Sequence, residues 1–304
     1  MITFDAGLKD VDKLLFSPDG TILAIREDGT HLLNSQTFDA IARYPGRGEM
    51  AFTPDSLSLA FEQYEGIDVH TPGKVNLKLQ DTASRQSMWD NLRFSHDGKH
   101  LEAGGIQTKG FARWDATTGD LLHDSCAVFG TYAGSSEEID GTVEGMTYTI
   151  STGRTLTLFS TRAAGKKPKC EAVVYAGAVK QGTIRIDNKG GLPRPILISS
   201  DGRYLVAPWW RVIGIWNLET LSQTARINVD HKPFLDAALT PDGRQLLTVT
   251  NNDTHVRFWD LASGELMAKY DWGIGKLTAV AVAPDGLRIA CANAQGQVVI
   301  WDAK

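Results

Sequence analysis

Residues 239–260, LTPDGRQLLTVTNNDTHVRFWD, decide the fold of this chain. Pro241-Asp-Gly243 is a tight-turn sequence, because proline presets φ for a turn and glycine accepts a positive φ. Apolar runs lie on both sides of this turn, and a further apolar run ends at Trp259-Asp260. The stretch therefore predicts two strands joined by a tight turn, followed by a hairpin and a third strand.

The same turn recurs along the chain. Its other copies are Phe16–Gly20, Phe52–Ser56, Phe94–Gly98, Ile198–Gly202 and Val282–Gly286. Most turn aspartates lie 36 to 43 residues apart, but Asp97 and Asp201 are separated by 104 residues. That interval contains one more copy around Gly153, with one residue deleted. The chain therefore consists of about seven repeats, and repeats of this length are typical of propellers and solenoids.

A second motif has the same period. The pairs Trp114-Asp115, Trp259-Asp260 and Trp301-Asp302 each end an apolar run, Trp216-Asn217 is a variant, and Leu33-Asn34 and Gln80–Ser84 are weaker versions. The turn and the Trp-Asp ending resemble the WD40-repeat family, in which each repeat of 40–45 residues forms a four-stranded blade.

This resemblance covers the whole chain. It implies an all-β, seven-bladed β-propeller of four-stranded antiparallel blades that forms a single domain over residues 1–304. The last repeat supplies three strands, so we expect the alternating segment Ile2–Asp5 to pair with it and close the ring.

The repeat with Trp259 matches the family pattern most closely. In the family, a histidine, a hydroxyl of the second strand, an aspartate and the tryptophan form a structural hydrogen-bonded set. The resemblance assigns these roles to His231, to Thr248 or Thr250, to Asp253 and to Trp259. Most other repeats lack the aspartate, so we expect an incomplete set there.

Composition narrows the classes of function. The formal net charge of -5 disfavours nucleic acid as the main partner, because phosphate binding usually needs a basic face. Cys126, Cys170 and Cys291 are widely spaced, so neither a disulfide framework nor a zinc site is predicted. The start of the chain is not a signal peptide, and no apolar run reaches about 18 residues. We therefore expect a cytoplasmic protein with no membrane association.

Motifs for catalysis are missing from the sequence. The seven histidines show no metal-ligand spacing, and neither a G-x-S-x-G nucleophile elbow nor a P-loop is found. The sequence therefore predicts no catalytic residue, no metal ligand and no cofactor-binding residue.

An unusual aromatic segment, APWWRVIGIW, occupies residues 207–216. Its hairpin is two residues shorter than the hairpin containing Asp253, which places Trp210 at the position of that aspartate. Pro208 is predicted to end the strand, because proline cannot donate to the ladder. Neighbouring strand residues point to opposite faces, so at least one of Trp209 and Trp210 is expected to pack against an adjacent blade.

In the family, this hairpin lies on the face that also carries the loops between blades. The register assigns further aromatic and basic residues to that face, and Tyr64 lies there in a long loop predicted over residues 62–74. Trp, Tyr and Arg dominate binding hot spots. The hypothesis is a face that binds an acidic or amphipathic segment of a protein or peptide partner. Its residues are Trp209, Trp210, Arg211, Trp272, Lys232, Tyr64, Tyr44 and Arg47.

The leading function is therefore a non-catalytic scaffold for protein–protein interaction. The alternative is a small-ligand-binding or enzymatic propeller, with a site at the mouth of the central channel built from several blades. Periplasmic TolB-like propellers share the P-D-G turn, but the Trp-Asp endings and the first residues favour the scaffold. The identity of the partner and the oligomeric state stay open.

Overall fold

A computed structural model shows the chain as an all-β protein. It describes residues 1–46, 48–63, 66–74, 76–79, 89–105, 111–124, 141–151, 153–162, 169–186, 196–209, 211–229 and 233–303. Within these ranges the regular structure consists of 28 β-strands without a helix. Accordingly, the described part of the chain contains no helix that is long and apolar enough to cross a membrane.

The strands form seven four-stranded antiparallel sheets, which are the blades of a seven-bladed β-propeller. We number the blades 1 to 7 from the first P-D-G turn onward. The chain divides into two compact units, Met1–Arg47 with Pro195–Lys304, and Gly48–Arg194. The single domain over residues 1–304 stays a prediction.

The first unit contains blades 1, 5, 6 and 7. Blade 1 is β2 (Lys13–Phe16), β3 (Ile22–Arg26), β4 (Gly29–Asn34) and β5 (Ala40–Pro45); blade 5 is β18 (Leu197–Ile198), β19 (Tyr204–Trp209), β20 (Val212–Asn217) and β21 (Ser222–Asn228). Blade 6 is β22 (Phe234–Leu239), β23 (Gln245–Thr250), β24 (His255–Asp260) and β25 (Leu266–Asp271); blade 7 is β26 (Leu277–Val282), β27 (Arg288–Asn293), β28 (Gln297–Asp302) and β1 (Ile2–Asp5).

The second unit contains blades 2, 3 and 4. Blade 2 is β6 (Met50–Phe52), β7 (Leu59–Gln63), β8 (Gly66–His70) and β9 (Leu77–Lys78); blade 3 is β10 (Trp89–Phe94), β11 (His100–Gly105), β12 (Phe111–Asp115) and β13 (Leu121–Asp124). Blade 4 is β14 (Gly141–Ser151), β15 (Arg154–Arg162), β16 (Lys169–Ala176) and β17 (Val179–Ile186).

The N-terminal strand closes the ring, as predicted. β1 pairs antiparallel with β28, from Ile2 opposite Ile300 to Asp5 opposite Gln297. It thereby becomes the fourth strand of blade 7, whose other three strands come from the end of the chain. This pairing covers the edge that β28 would otherwise expose.

The P-D-G turns have both a local and a packing role. In blade 6, the Thr240 hydroxyl donates to Asp242 Oδ1 at 2.6 Å, and the same oxygen accepts the Arg244 N–H at 3.1 Å. Gly243 has a φ of +68°, which only glycine adopts at low cost. The Pro241 ring of this turn lies 3.6 Å from the position that a Cβ on Gly286 would occupy, so consecutive turns are in contact.

The repeat tryptophans belong to the core. Trp114, Trp216, Trp259 and Trp301 are at most 9% exposed. Trp259 packs in a cluster with Ile213 and Ile215 of blade 5, so the apolar faces of successive blades are buried against each other. Such burial is the main favourable contribution to folding.

Three details of the sequence interpretation were wrong. The loop predicted over residues 62–74 contains strand β8, so the third strand of blade 2 ends at His70 and not at Gln80–Ser84. This strand lacks the Trp-Asp ending that marks the third strands of blades 3, 6 and 7, and residues 80–84 lie outside the described ranges. Pro208 lies within β19, opposite Ile213. It follows the last residue of β19 that pairs with β18, Val206, so its missing N–H breaks no described ladder bond.

Candidate partner-binding surface

The two ends of the sheets in the first unit differ in what they carry. One end carries the hairpins between second and third strands and the connections between successive blades, and we call it the upper side. The opposite end carries the P-D-G turns, and we call it the lower side. Each connection leaves one blade and enters the next on the upper side, so these loops are neighbours.

Hydrogen bonds join each hairpin of the upper side to an adjacent connection. The Val229 N–H donates to the Arg211 carbonyl at 3.0 Å, and the Leu277 N–H donates to the Asp253 carbonyl at 2.7 Å. In blade 6, the Asn251 N–H also donates to the Pro233 carbonyl at 2.8 Å. At the hairpin of blade 7, the Ala294 carbonyl accepts the Asp10 N–H at 2.6 Å, and at the hairpin of blade 1, Glu27 Oε2 accepts the Lys9 N–H at 3.2 Å. The upper loops of blades 5, 6, 7 and 1 are therefore held in one arrangement.

The shortened hairpin of blade 5 lies within this arrangement. Its residues 210–211 replace the longer hairpin 251–254 of blade 6. Trp209 is the last residue of β19 and is half-buried, while Arg211 is exposed. Within the described residues the Arg211 guanidinium makes no ion pair. This hairpin therefore presents a cation that has no ionic partner among the described residues, beside a partly exposed indole.

Trp272 packs against aromatic side chains of blades 6 and 7, and its place in the partner-binding face stays a prediction. Its ring stacks on the Tyr270 ring, with the two centroids 5.6 Å apart and the planes at 12°. It also packs against the Trp301 ring, with the centroids 4.6 Å apart. The buried indole Nε1 has no hydrogen-bond partner among the described residues. Most of this ring is therefore used to pack blade 6 against blade 7, and only part of it is open to a partner.

The remaining predicted residues are described only in part. Tyr44 lies in β5 and is half-buried, and burial raises the pKa of its hydroxyl. Trp210, Lys232, Tyr64, Arg47 and His231 lie outside the described ranges. Their assignment to the binding face, and that of His231 to the structural set, stays a prediction.

The described residues on the upper side of the first unit include similar numbers of basic and acidic side chains, and the basic character predicted for the whole face stays a prediction. Its described basic residues are Lys9, Lys13, Arg26, Arg43, Arg211 and Lys276, and its described acidic residues are Asp5, Asp10, Asp12, Glu27, Asp28, Asp253 and Asp271. Several of these charges pair with each other, as in the 2.7 Å contact between Arg26 Nε and Asp12 Oδ1. The sequence interpretation selected the cations of these loops and left out the neighbouring carboxylates.

The lower side of the same unit is strongly acidic. Its described acidic residues are Asp19, Asp39, Asp201, Glu219, Asp242, Asp260, Glu265, Asp285 and Asp302, against the basic residues Arg203, Arg244 and Arg288. Many of these carboxylates accept bonds from hydroxyls and backbone N–H groups, as Asp242 does, and such bonds leave the charge in place. The acidic excess of this unit is therefore concentrated on the lower side.

Sequence reasoning missed Leu235, which is 42% exposed at the upper end of β22. A register shift between Phe234 and Asp236 interrupts the alternation of this strand and turns Leu235 outward. No sequence motif marks such a shift. Leu235 adds an apolar side chain to the upper part of blade 6, next in order to the blade that carries Trp209.

The polar set of blade 6 has two branches. The Trp259 indole N–H donates to Thr248 Oγ1 at 2.9 Å, whereas the Thr250 hydroxyl donates to Asp253 Oδ2 at 3.3 Å. The Arg257 guanidinium also binds Asp253 Oδ2, a partner that the sequence pattern did not suggest. Asp253 further accepts the Thr254 N–H at 2.8 Å, so it fixes the hairpin 251–254.

A buried ion pair joins blades 6, 7 and 1. Asp236 Oδ1 lies 2.7 Å from Lys13 Nζ, and Asp236 Oδ2 accepts the Val280 N–H at 3.1 Å. The Asp236 side chain is 3% exposed and the Lys13 side chain is 25% exposed. Burial raises the pKa of the Asp236 carboxyl, an effect that the Lys13 charge opposes.

The second unit also contains a buried ionic row. Glu102 Oε2 lies 2.6 Å from Arg93 Nη2, and Glu102 Oε1 lies 2.6 Å from Arg113 Nη2. The Arg93 guanidinium lies over the Tyr148 ring, 3.9 Å from its centroid. Burial raises the pKa of Tyr148 to about 12, so its hydroxyl stays neutral. This row links blade 3 to blade 4.

Reactive groups are scarce in the described residues. Burial raises the pKa of both the Cys170 and the Cys291 thiol to about 12, so neither is a nucleophile at neutral pH. The described residues include no group of three or more His, Cys, Asp or Glu side chains that could hold a metal ion. Cys126 lies outside the described ranges.

Comparison with known proteins agrees with the fold. No protein-family model matches the chain. Pre-mRNA-processing factor 19 homolog 2 of Arabidopsis thaliana is 30% identical over 116 residues, which are 36% of this chain and 21% of that protein. The β-propeller domain of Cps50 (Swd1) from Myceliophteria thermophila superposes with a TM-score of 0.72 at 13% identity, over 100% of this chain and 99% of that domain. The chain thus matches about a fifth of the curated relative.

Proposed function

We propose that this chain, a seven-bladed β-propeller of the WD40-repeat type, is a non-catalytic scaffold that binds a protein partner on the upper side of blades 5 and 6. Propellers of this type typically mediate protein interactions. The proposal places the protein in the cytoplasm and requires no cofactor. The partner is a protein or a peptide segment, not nucleic acid and not a membrane.

The observation that carries the proposal is the hydrogen-bonded order of the upper loops. Since the Arg211 carbonyl is fixed by Val229 and the hairpin of blade 6 is fixed by Leu277, little loop entropy is lost when a partner binds. The exposed Arg211 and the partly exposed Trp209 are residue types that supply most of the binding energy in protein interfaces.

The chemistry of the surface defines the partner segment. Leu235 and Trp209 offer apolar contact, and Arg211 offers a charge-assisted hydrogen bond to a carboxylate. The proposed segment is therefore amphipathic, with an apolar face and at least one acidic residue. The acidic lower side repels such a segment, so long-range electrostatics favours approach from above.

A pair of matched variants tests the proposal. The upper variant carries Arg211→Glu and Leu235→Gln, and the lower variant carries Arg203→Glu and Leu287→Gln, which change equally exposed residue types. Each protein is used to capture partners from native lysate, once its thermal midpoint has been shown to equal that of the wild type. We expect the wild type and the lower variant to capture the same proteins and the upper variant to lose them. Capture that the upper variant retains would contradict the proposed surface.

A further inference from the structure

We propose that Asp236 and Lys13 form a latch that fixes the register of blades 6, 7 and 1 and thereby holds the connections of the upper side in place. The inference is independent of the proposed function, because it concerns the order of the loops and not what binds to them.

The latch joins the first strands of three successive blades. Asp236 lies in β22, Lys13 in β2, and the Val280 N–H belongs to β26 between them. β26 is an end strand of its sheet, so one of its edges has no neighbouring strand. The Asp236 carboxylate satisfies one N–H of that edge and holds the Lys13 ammonium with its other oxygen.

Each of these strands directly follows a connection of the upper side. The connections are residues 6–12 before β2, residues 272–276 before β26, and the segment before β22, of which Val229 and Pro233 are described. If one of these three strands shifts along its own axis relative to the other two, the connection that precedes it shifts as well. Since the connections hydrogen-bond to the hairpins, the latch sets the geometry of the upper loops of blades 5, 6, 7 and 1.

The latch differs from the closure of the ring by β1. The pairing of β1 with β28 supplies the fourth strand of blade 7, whereas Asp236 accepts a hydrogen bond from β26, the first strand of that blade. An apolar side chain at position 236 could fill the same space without the desolvation that an ionised carboxylate suffers. The charged pair instead supplies a directional contact, which an apolar residue lacks. Directional contact is what register requires.

Hydrogen exchange measured by mass spectrometry tests the latch in the full chain. The variants are Lys13→Met, the nearly isosteric Asp236→Asn, and their combination. The matched control is Arg185→Met combined with Glu171→Gln, which removes a surface pair of blade 4 whose Arg185 Nε lies 3.6 Å from Glu171 Oε1. Exchange is compared between the latch segments, 6–16 and 272–282, and the closure segments, 2–5 and 297–302.

In Lys13→Met we expect exchange in the latch segments to rise about tenfold while the closure segments change by less than about twofold, because local opening needs less free energy than global unfolding. The surface-pair control is expected to leave all four segments unchanged. Adding Asp236→Asn to Lys13→Met should lower the exchange again, since it removes the unpaired charge.

Two results would overturn the inference. Unchanged exchange in the latch segments of both single variants would show that the pair does not hold the connections. An equal rise in the latch and closure segments would show loss of stability without a specific role in register. If Lys13→Met does not fold, Asp236→Asn gives the same comparison, because it keeps the shape of the side chain and removes the charge.

Discussion

Lys13→Met should destabilise the protein more than Asp236→Asn, although each variant breaks the same ion pair. Without Lys13, a carboxylate that is 3% exposed loses its ionic partner and cannot reach water. Without the Asp236 charge, Lys13 is still 25% exposed and can be hydrated. Lys13→Met leaves a buried charge unpaired and should lower the free energy of unfolding by about 3 kcal/mol, the lower end of the range measured for such changes. Asp236→Asn leaves a partly hydrated cation and should lower it by about 1 kcal/mol.

These free energies translate into measurable thermal shifts. The unfolding entropy of a chain of 304 residues is about 0.6 kcal/mol per kelvin, so a loss of about 3 kcal/mol lowers the thermal midpoint by about 5 °C. The Asp236→Asn variant should lose about 2 °C on the same scale. Differential scanning fluorimetry of the two variants and the wild type in one buffer measures both values.

The pH dependence of Lys13→Met gives a second check with a defined sign. Burial already raises the pKa of Asp236 in the wild type, and loss of Lys13 raises it further. A carboxyl whose pKa is higher in the folded than in the unfolded state penalises folding when it is ionised, and the penalty falls as pH drops through the folded pKa. The loss of unfolding free energy in Lys13→Met should therefore be smaller at an acidic pH than at a neutral pH. An equal loss at the two pH values, or a larger loss in Asp236→Asn, would show that the unpaired Asp236 carboxylate is not the source of the destabilisation.

Three further predictions concern the repeat motifs and the buried thiols. Gly286→Ala should lower the free energy of unfolding, measured by chemical denaturation, by about 1 kcal/mol, because Gly286 has a φ of +68°. Gly286→Asn should lower it by less, since asparagine tolerates a positive φ better than alanine does. Equal losses in the two variants would argue against a backbone effect. Trp259→Phe should lower the free energy of unfolding by about 1 kcal/mol more than the double variant Trp259→Phe/Thr248→Val, because the single variant leaves the buried Thr248 hydroxyl without the indole N–H that donates to it at 2.9 Å. If the losses of the two single variants add up in a double-mutant cycle, this hydrogen bond does not contribute to stability. Cys291 should react with iodoacetamide only after unfolding, because burial raises its pKa to about 12, and mass spectrometry of the labelled native protein would expose the opposite result.

The sequence predicted the fold well because the repeat is local and periodic. Each P-D-G turn and each Trp-Asp ending marks the same position in its blade, and the count of repeats left one strand for Ile2–Asp5 to supply. Blade 2 was assigned wrongly because its third strand, Gly66–His70, carries no tryptophan. Local motifs thus predict strands only where the motifs are present.

The candidate surface was harder to predict from the sequence. The outward turn of Leu235 follows from a register shift that no local sequence pattern marks. The latch joins Lys13 to Asp236 across 223 positions of the chain, so only the folded structure brings the two residues together. The sequence interpretation selected the basic residues of the upper side and left out acidic residues such as Asp12 and Asp271, which lie in the same loops.

Photo-crosslinking in native cells identifies which side of the propeller contacts a partner. A benzoylphenylalanine at position 211 probes the hairpin of blade 5 on the upper side, and the same residue at position 203 probes the lower side, where the native arginine is equally exposed. We expect a covalent adduct with a protein at position 211 and none at position 203, and we expect the linked peptide of the partner to be amphipathic and acidic. Adducts at position 203 alone, or a nucleic acid as the linked molecule at position 211, would show that the upper side does not bind a protein partner.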